Sequence, residues 1–197
     1  GLNVRHPEKL NKEEIDYIKK LSPNVVVVVA YGKLIPSNAL NINNIKFINI
    51  HPSLLPRWRG AAPIQRSIIE MDSVTGVSIM KIIPELDAGP YLLQEKSKIE
   101  KKDNYISLSK KLSLLASELI LKSLEMIEQN NFILTNQDKS KVTYAKKIEK
   151  KESEIIWNVD AKSLIAKING LSPYPGAWFR HKGKRFKIIK AEEFDQS

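Results

Sequence analysis

Two polar side chains able to move protons and hold developing charge, Asn49 and His51, stand two residues apart at the end of the apolar run Lys46 to Ile50. A strand sends alternate side chains to opposite faces, so Asn49 and His51 share one face while Ile48 and Ile50 share the other. An Asn amide is a fixed neutral donor suited to an oxygen that gains negative charge during acyl transfer, and a His with a free pKa of about 6.5 exchanges protons near neutrality. The chain then enters Pro52-Ser53-Leu54-Leu55-Pro56-Arg57-Trp58-Arg59-Gly60, a loop stiffened by Pro and closed by Gly. Alone, Asn49 reads as a turn residue and His51 as a hydrogen-bonded strand end. Together on one face, feeding a rigid loop, they read as a catalytic corner.

The elements that must carry this corner follow from patterning. Val25 to Val29 is an unbroken β-branched run, which predicts a central parallel strand covered on both faces. Before it, Asn11 caps a helix reaching Leu21, with Glu13 and Glu14 in its first turn. A short helix is predicted over Pro36 to Leu40, a strand over Lys46 to Ile50, and a helix from Pro63 to Glu70 with Pro in its first turn. Strands over Val77 to Ile83 and Tyr91 to Lys98 flank Glu85-Leu86-Asp87-Ala88-Gly89-Pro90. Ser107 to Gln129 predicts a long helix whose Leu108, Leu112, Leu115 and Leu119 form a core stripe. Alternating α and β elements make an open α/β sheet, in which ligands collect at the carboxyl ends of the strands. Residues 131–154 turn polar and Lys-rich and read as a linker. Asp160 then caps a helix to Asn169, and Trp178 to Ile189 reads as a hairpin turning at Gly183.

Asn49-x-His51 followed by Ser53-Leu54-Leu55-Pro56 and Arg59-Gly60 resembles the formyltransferases that use 10-formyltetrahydrofolate, which also carry a distant Leu-Asp-x-Gly, here Leu86-Asp87-Ala88-Gly89. Within that family, Arg57-Trp58-Arg59-Gly60-Ala61-Ala62-Pro63-Ile64-Gln65-Arg66 is most similar to the branch acting on methionyl-tRNA. Thr143-Tyr144-Ala145-Lys146-Lys147-Ile148 and Pro173-Tyr174-Pro175-Gly176-Ala177-Trp178 are similar to that branch's linker and the start of its C-terminal domain.

The resemblance implies a Rossmann-like, mostly parallel sheet of the formyltransferase fold over residues 1–130, a linker over 131–154, and the beginning of a small OB-like β-barrel over 155–197. It implies Asn49, His51 and Asp87 as catalytic residues and Ser53, Leu54, Leu55 and Pro56 against the folate. Taken alone, Asp87 reads as a turn residue. Pro52, Ala88 and Pro90 depart from the commonest tRNA-branch pattern and also occur in relatives acting on glycinamide ribonucleotide or sugar nucleotides. A sugar-nucleotide amine therefore remains an alternative acceptor, and a non-catalytic RNA-binding module an alternative class. The chain opens at Gly1 rather than Met, stops at Ser197 after a strand-like segment, and is read as a piece lacking both ends. On that reading it is expected to be inactive and poorly soluble by itself.

Net charge is +10, and residues 131–197 hold 14 basic and 8 acidic side chains against 18 and 14 in the longer first part, so the smaller part is the more basic per residue. Arg180, Lys182, Lys184 and Arg185, with Lys187 and Lys190, run without an intervening acid, as suits a polyanion. With Arg57 and Arg59 these are the expected contacts to initiator methionyl-tRNA. The absence of Cys excludes a disulfide scaffold and a thiolate nucleophile. His6 and His181 lack metal-ligand spacing, no nucleotide-binding glycine motif occurs, and no apolar run spans a bilayer. A monomeric cytoplasmic transferase in translation initiation, taking 10-formyltetrahydrofolate and no metal or membrane, is the combined expectation.

Overall fold

The computed structural model describes residues 1–193; the end of the expected C-terminal module, residues 194–197, lies outside them. Its centre is a sheet in the order β1-β2-β4-β5, formed by β1 (Val25–Val29), β2 (Lys46–His51), β4 (Val74–Lys81) and β5 (Tyr91–Lys98). β1 and β2 run parallel, whereas β4 is antiparallel to both β2 and β5. The α/β fold is as expected, and the parallel pairing here is confined to β1 and β2. The connection from β2 carries α3 (Pro63–Ile69) and brings the chain back beside the end where β2 stops, so β4 enters antiparallel, with Ser78 opposite His51 and Met80 opposite Asn49.

One sheet face packs on α4 (Tyr105–Glu128), where Leu108, Leu112 and Leu119 are buried with Ile48, Val77 and Ile79, and Leu115 is partly buried against them. Each such side chain contributes about 1.5–3 kcal/mol on leaving water. Asn104 caps this helix by accepting from the Ser107 amide, and the Ser107 hydroxyl accepts from the Asn104 amide in return. α4 starts two residues before the predicted Ser107 for that reason. The other face meets α1 (Lys12–Leu21), capped by Asn11, and α2 (Ser37–Leu40), through Ile15, Ala39 and Phe47. β1 is not central among the described residues. It pairs only with β2, and Val27 and Val29 are 38% and 60% exposed. A β-branched run records strand propensity, not the number of neighbours the strand acquires.

The segment read as a linker is tied down along its length. β6 (Tyr144–Ala145) pairs in parallel with β3 (Arg59–Gly60), the Ala61 and Ala62 amides donate to the Ala145 carbonyl, and the Trp58 amide donates to Thr143 Oγ1. Arg66 holds Glu152 and the Lys146 carbonyl. α5 (Ala161–Leu171), capped by Asp160, then packs on α3 so closely that a Cβ at Gly170 would lie 2.8 Å from Ile69 Cγ1. β7 (Ala177–His181) and β8 (Lys184–Ile188) close a hairpin through Lys182 and Gly183, both at positive φ, the backbone that a two-residue turn between twisted strands requires.

Candidate active site

β2 delivers Asn49 and His51 to the same face, as its pleat requires, and His51 is 4% exposed while Asn49 is half-buried. The His51 ring is oriented by its Nε2–H, which donates to the Trp58 carbonyl at 2.9 Å. Trp58 is itself pinned: it sits at φ +64, and its indole N–H donates to Asp72, which also receives Arg57. With Nε2 occupied, Nδ1 is the nitrogen left for chemistry, and it faces Asp87 Oδ2 at 3.7 Å. That distance is an ion-pair separation and longer than a hydrogen bond. Burial pushes the His51 pKa below its ordinary value, against the upward pull of Asp87 and the Trp58 carbonyl, which favours the neutral ring.

Asp87 reaches this position because the connection between β4 and β5 folds back across the sheet face. Asp87 occupies φ +46, a left-handed conformation that Asp tolerates. Two residues on, a Cβ at Gly89 would lie 1.8 Å from the Lys81 carbonyl oxygen, so only Gly allows the loop to rejoin the sheet here. The Gly60 amide donates to Asp87 Oδ2 at 2.8 Å, which fixes the carboxylate in front of His51.

Asn49 and Asp87 open on one cleft, whose walls include Val28, Leu34, Ile35, Met80, Pro84 and Leu86. The wall residues 28–35 went unrecognised in the sequence, although the rule that ligands gather at carboxyl ends of parallel strands points to the segment after β1. Ser53, Leu54, Leu55 and Pro56 do not line this cleft. Ser53 and Leu55 are buried, with the Ser53 hydroxyl donating to the Arg57 carbonyl and Ser78 Oγ bridging the Ser53 carbonyl and the Leu55 amide. The loop's polar groups bond within the loop, to Ser78 of β4, to Gln94 of β5 and to Thr143.

Among the expected RNA contacts, Arg59 does not face solvent: it is 4% exposed and its guanidinium donates to Gln137 and Glu85. Arg57 is partly exposed, stacked on Trp58 and bonded to Asp72. Arg180, Lys182, Lys184 and Arg185 are exposed on the β7–β8 hairpin, with Arg180 opposite Arg185, and none joins an ion pair among the described residues. Among those residues no group of three or more His, Cys, Asp or Glu side chains is placed to hold a metal ion, and no helix is long and apolar enough to cross a membrane.

Methionyl-tRNA formyltransferase of Pelagibacter ubique (strain HTCC1062) is 52% identical over 194 residues, covering 98% of this chain and 63% of that protein, so the chain spans less than two thirds of this relative. In fold it is similar to a 4-N formyltransferase from Francisella tularensis (TM-score 0.80, 25% identity, covering 95% of this chain and 78% of that one). It also superposes on HypX from Aquifex aeolicus in complex with tetrahydrofolic acid (TM-score 0.77, 20% identity, covering 89% of this chain and 30% of that one). The model of the formyl transferase family matches residues 3–124, and that of the formyl transferase C-terminal domain matches residues 147–197. The first match alone spans more than half of the sequence and contains Asn49, His51 and Asp87; the chain belongs to the formyl transferase family.

Proposed function

We propose that this chain carries the catalytic centre of a methionyl-tRNA formyltransferase, which moves a formyl group from 10-formyltetrahydrofolate to the α-amine of methionine on initiator tRNA. The observation that supports the chemistry is that Asn49 and Asp87 line one cleft, with His51 buried behind Asp87 and its Nδ1 3.7 Å from the carboxylate. The acceptor assignment is supported by the curated relatives, several of them methionyl-tRNA formyltransferases at 42–52% identity. The tetrahydrofolate held by the HypX neighbour supports a folate here. The cleft suits one: apolar walls at Val28, Ile35, Met80 and Leu86 suit a flat ring system, and Asn49 and Asp87 are among the polar groups that line it.

10-Formyltetrahydrofolate supplies a formyl carbon bonded to a nitrogen able to leave. Asn49 donates its amide N–H to the formyl oxygen as that oxygen gains charge, and loss of one such donor commonly costs on the order of 10²–10³ in rate. Neutral His51 accepts at Nδ1 the proton that the attacking amine must lose. The imidazolium so formed faces Asp87, which stabilises its charge, and it passes the proton to the departing nitrogen. One C–N bond forms, one breaks, and the proton moves from the acceptor nitrogen to the donor nitrogen.

Residues 1–130 form the catalytic domain in this reading, 131–154 the connection and 155–197 the start of the tRNA-binding module, with Arg57, Arg180, Lys182, Lys184 and Arg185 on the RNA and the protein a cytoplasmic monomer needing no metal. The intact protein, given 10-formyltetrahydrofolate, is expected to formylate methionyl-tRNA, read by acid-gel separation of charged tRNA. Ready formylation of an amino-sugar nucleotide with methionyl-tRNA left untouched would overturn the acceptor assignment.

A further inference from the structure

We propose that Gln137 is a positioning residue for the reaction: from the polar segment between the modules, its side-chain amide holds the Asp87 loop in register with His51. The kinetic part of this inference rests on the formyl-transfer reading; the geometric part does not.

The Asp87 loop leaves β4 at Lys81 and rejoins β5 at Tyr91 with little packing of its own, and Leu86 is 52% exposed. Its backbone is held from outside. Gln137 Nε2 donates to the Asp87 carbonyl at 2.8 Å and to the Gly89 carbonyl at 2.7 Å, while Oε1 accepts from Arg59 Nε at 2.9 Å. Both amide hydrogens and the oxygen are thus engaged, and two carbonyls on one side and a guanidinium on the other leave a single orientation for the amide. Gln137 and Arg59 are both buried, so each bond lost would leave a polar group without water to replace its partner.

The other end of the brace reaches the carboxylate. Gly60, the residue after Arg59, donates its amide to Asp87 Oδ2, so the two arms grip the same residue, one by its backbone and one by its side chain. Arg59 also reaches Glu85, at the start of the loop. The bridge in which Thr135 and Tyr91 exchange backbone hydrogen bonds anchors the strap two residues before Gln137. Around metal ligands, the partners that orient the ligating side chains are worth roughly 10–100-fold in activity, and the same order of effect is expected for a brace on a reacting carboxylate.

The test uses Gln137→Ala and Gln137→Glu in the intact protein. Glu keeps the size and the oxygen facing Arg59 but cannot donate to the Asp87 and Gly89 carbonyls, so it separates positioning from mere filling of space. Amide hydrogen exchange is read at Gly60, bonded to Asp87, and at Ala61, bonded to Ala145 in the strap. In both variants Gly60 is expected to exchange at least about tenfold faster with Ala61 unchanged, and kcat to fall at least about tenfold with both KM values within about twofold. Parental exchange at Gly60, joint acceleration of Gly60 and Ala61, or parental kcat in Gln137→Glu would each overturn the proposal. Selective acceleration at Gly60 in a protein whose parent transfers no formyl group would support the brace and refute the assigned reaction instead.

Discussion

Asp87→Asn isolates charge from shape. Asn keeps an oxygen able to accept from the Gly60 amide, so the loop should stay in place while the carboxylate charge facing His51 disappears. At 3.7 Å and an effective dielectric constant of about 20, a carboxylate and an imidazolium attract by about 4 kcal/mol. Both side chains are mostly buried, so solvent screening trims this little. Full proton transfer to His51 in the transition state would make the loss roughly 10³ in kcat, and half transfer roughly 30-fold. Single-turnover formylation of methionyl-tRNA, with acid-gel readout, brackets this range directly. The pH profile supplies an independent sign. Burial lowers the His51 pKa and Asp87 raises it, so removing the charge lowers it further, and the acid limb set by neutral His51 should move to lower pH. Stability follows the same linkage: the folded value lies below the unfolded one, so stability is present above about pH 6.5 and declines as pH falls toward the folded value, a decline that reaches lower pH in the variant. A kcat within about threefold of the parent, or an acid limb displaced upward, would refute the assigned partnership.

Neutralising Arg180, Lys182 and Lys184 together should weaken binding of methionyl-tRNA and reduce the slope of log K against log salt by about 2–3, with kcat at saturating tRNA retained; an unchanged slope would remove the hairpin from the RNA-binding surface. Gly170→Ala sets two effects against each other. Helix propensity favours Ala by about 1 kcal/mol, and overpacking costs about 1–3 kcal/mol. The new Cβ would meet Ile69 Cγ1 at 2.8 Å and the Gln65 carbonyl oxygen at 3.1 Å, neither of them a free side-chain end, so the cost should win. Tm should fall by a few degrees, about 2–4 °C for a net 1 kcal/mol at this size, and a higher Tm would show that α3 and α5 part easily.

The shared face of Asn49 and His51 was legible because its signal is local. The pleat fixes that Asn49 and His51 share a face whatever the rest of the chain does, and the observed strand, one residue longer than predicted, keeps them together. The face of α4 toward the sheet was legible for the same reason, at a different period. Asp87 was different. Nothing in its neighbourhood distinguishes a turn Asp from a catalytic one, and only resemblance to a family selected it. Its position depends on a backbone that no non-glycine residue could follow at Gly89 and on a carboxylate that receives its amide from Gly60, twenty-seven residues upstream.

Two of the things local reading missed share one physical origin, the treatment of polarity as a measure of freedom. Arg59 is charged and stands in a loop, which suggested an RNA contact, yet its guanidinium is buried because Gln137 and Glu85 satisfy it. Residues 131–154 have little apolar periodicity, which suggested a linker, yet Thr143, Ala145 and Gln137 bond to backbone groups of the segments around His51 and Asp87. A segment that borrows other elements' carbonyls and amides needs no apolar face to be ordered, because each bond it makes satisfies a group that would otherwise be left unpaired on both sides. Such partners lie 48 to 87 residues apart in the chain, beyond any window in which a period of 2 or 3.6 could register. The strap around the site is therefore the part of this fold that composition hides most completely, and the part on which the placement of Asp87 depends.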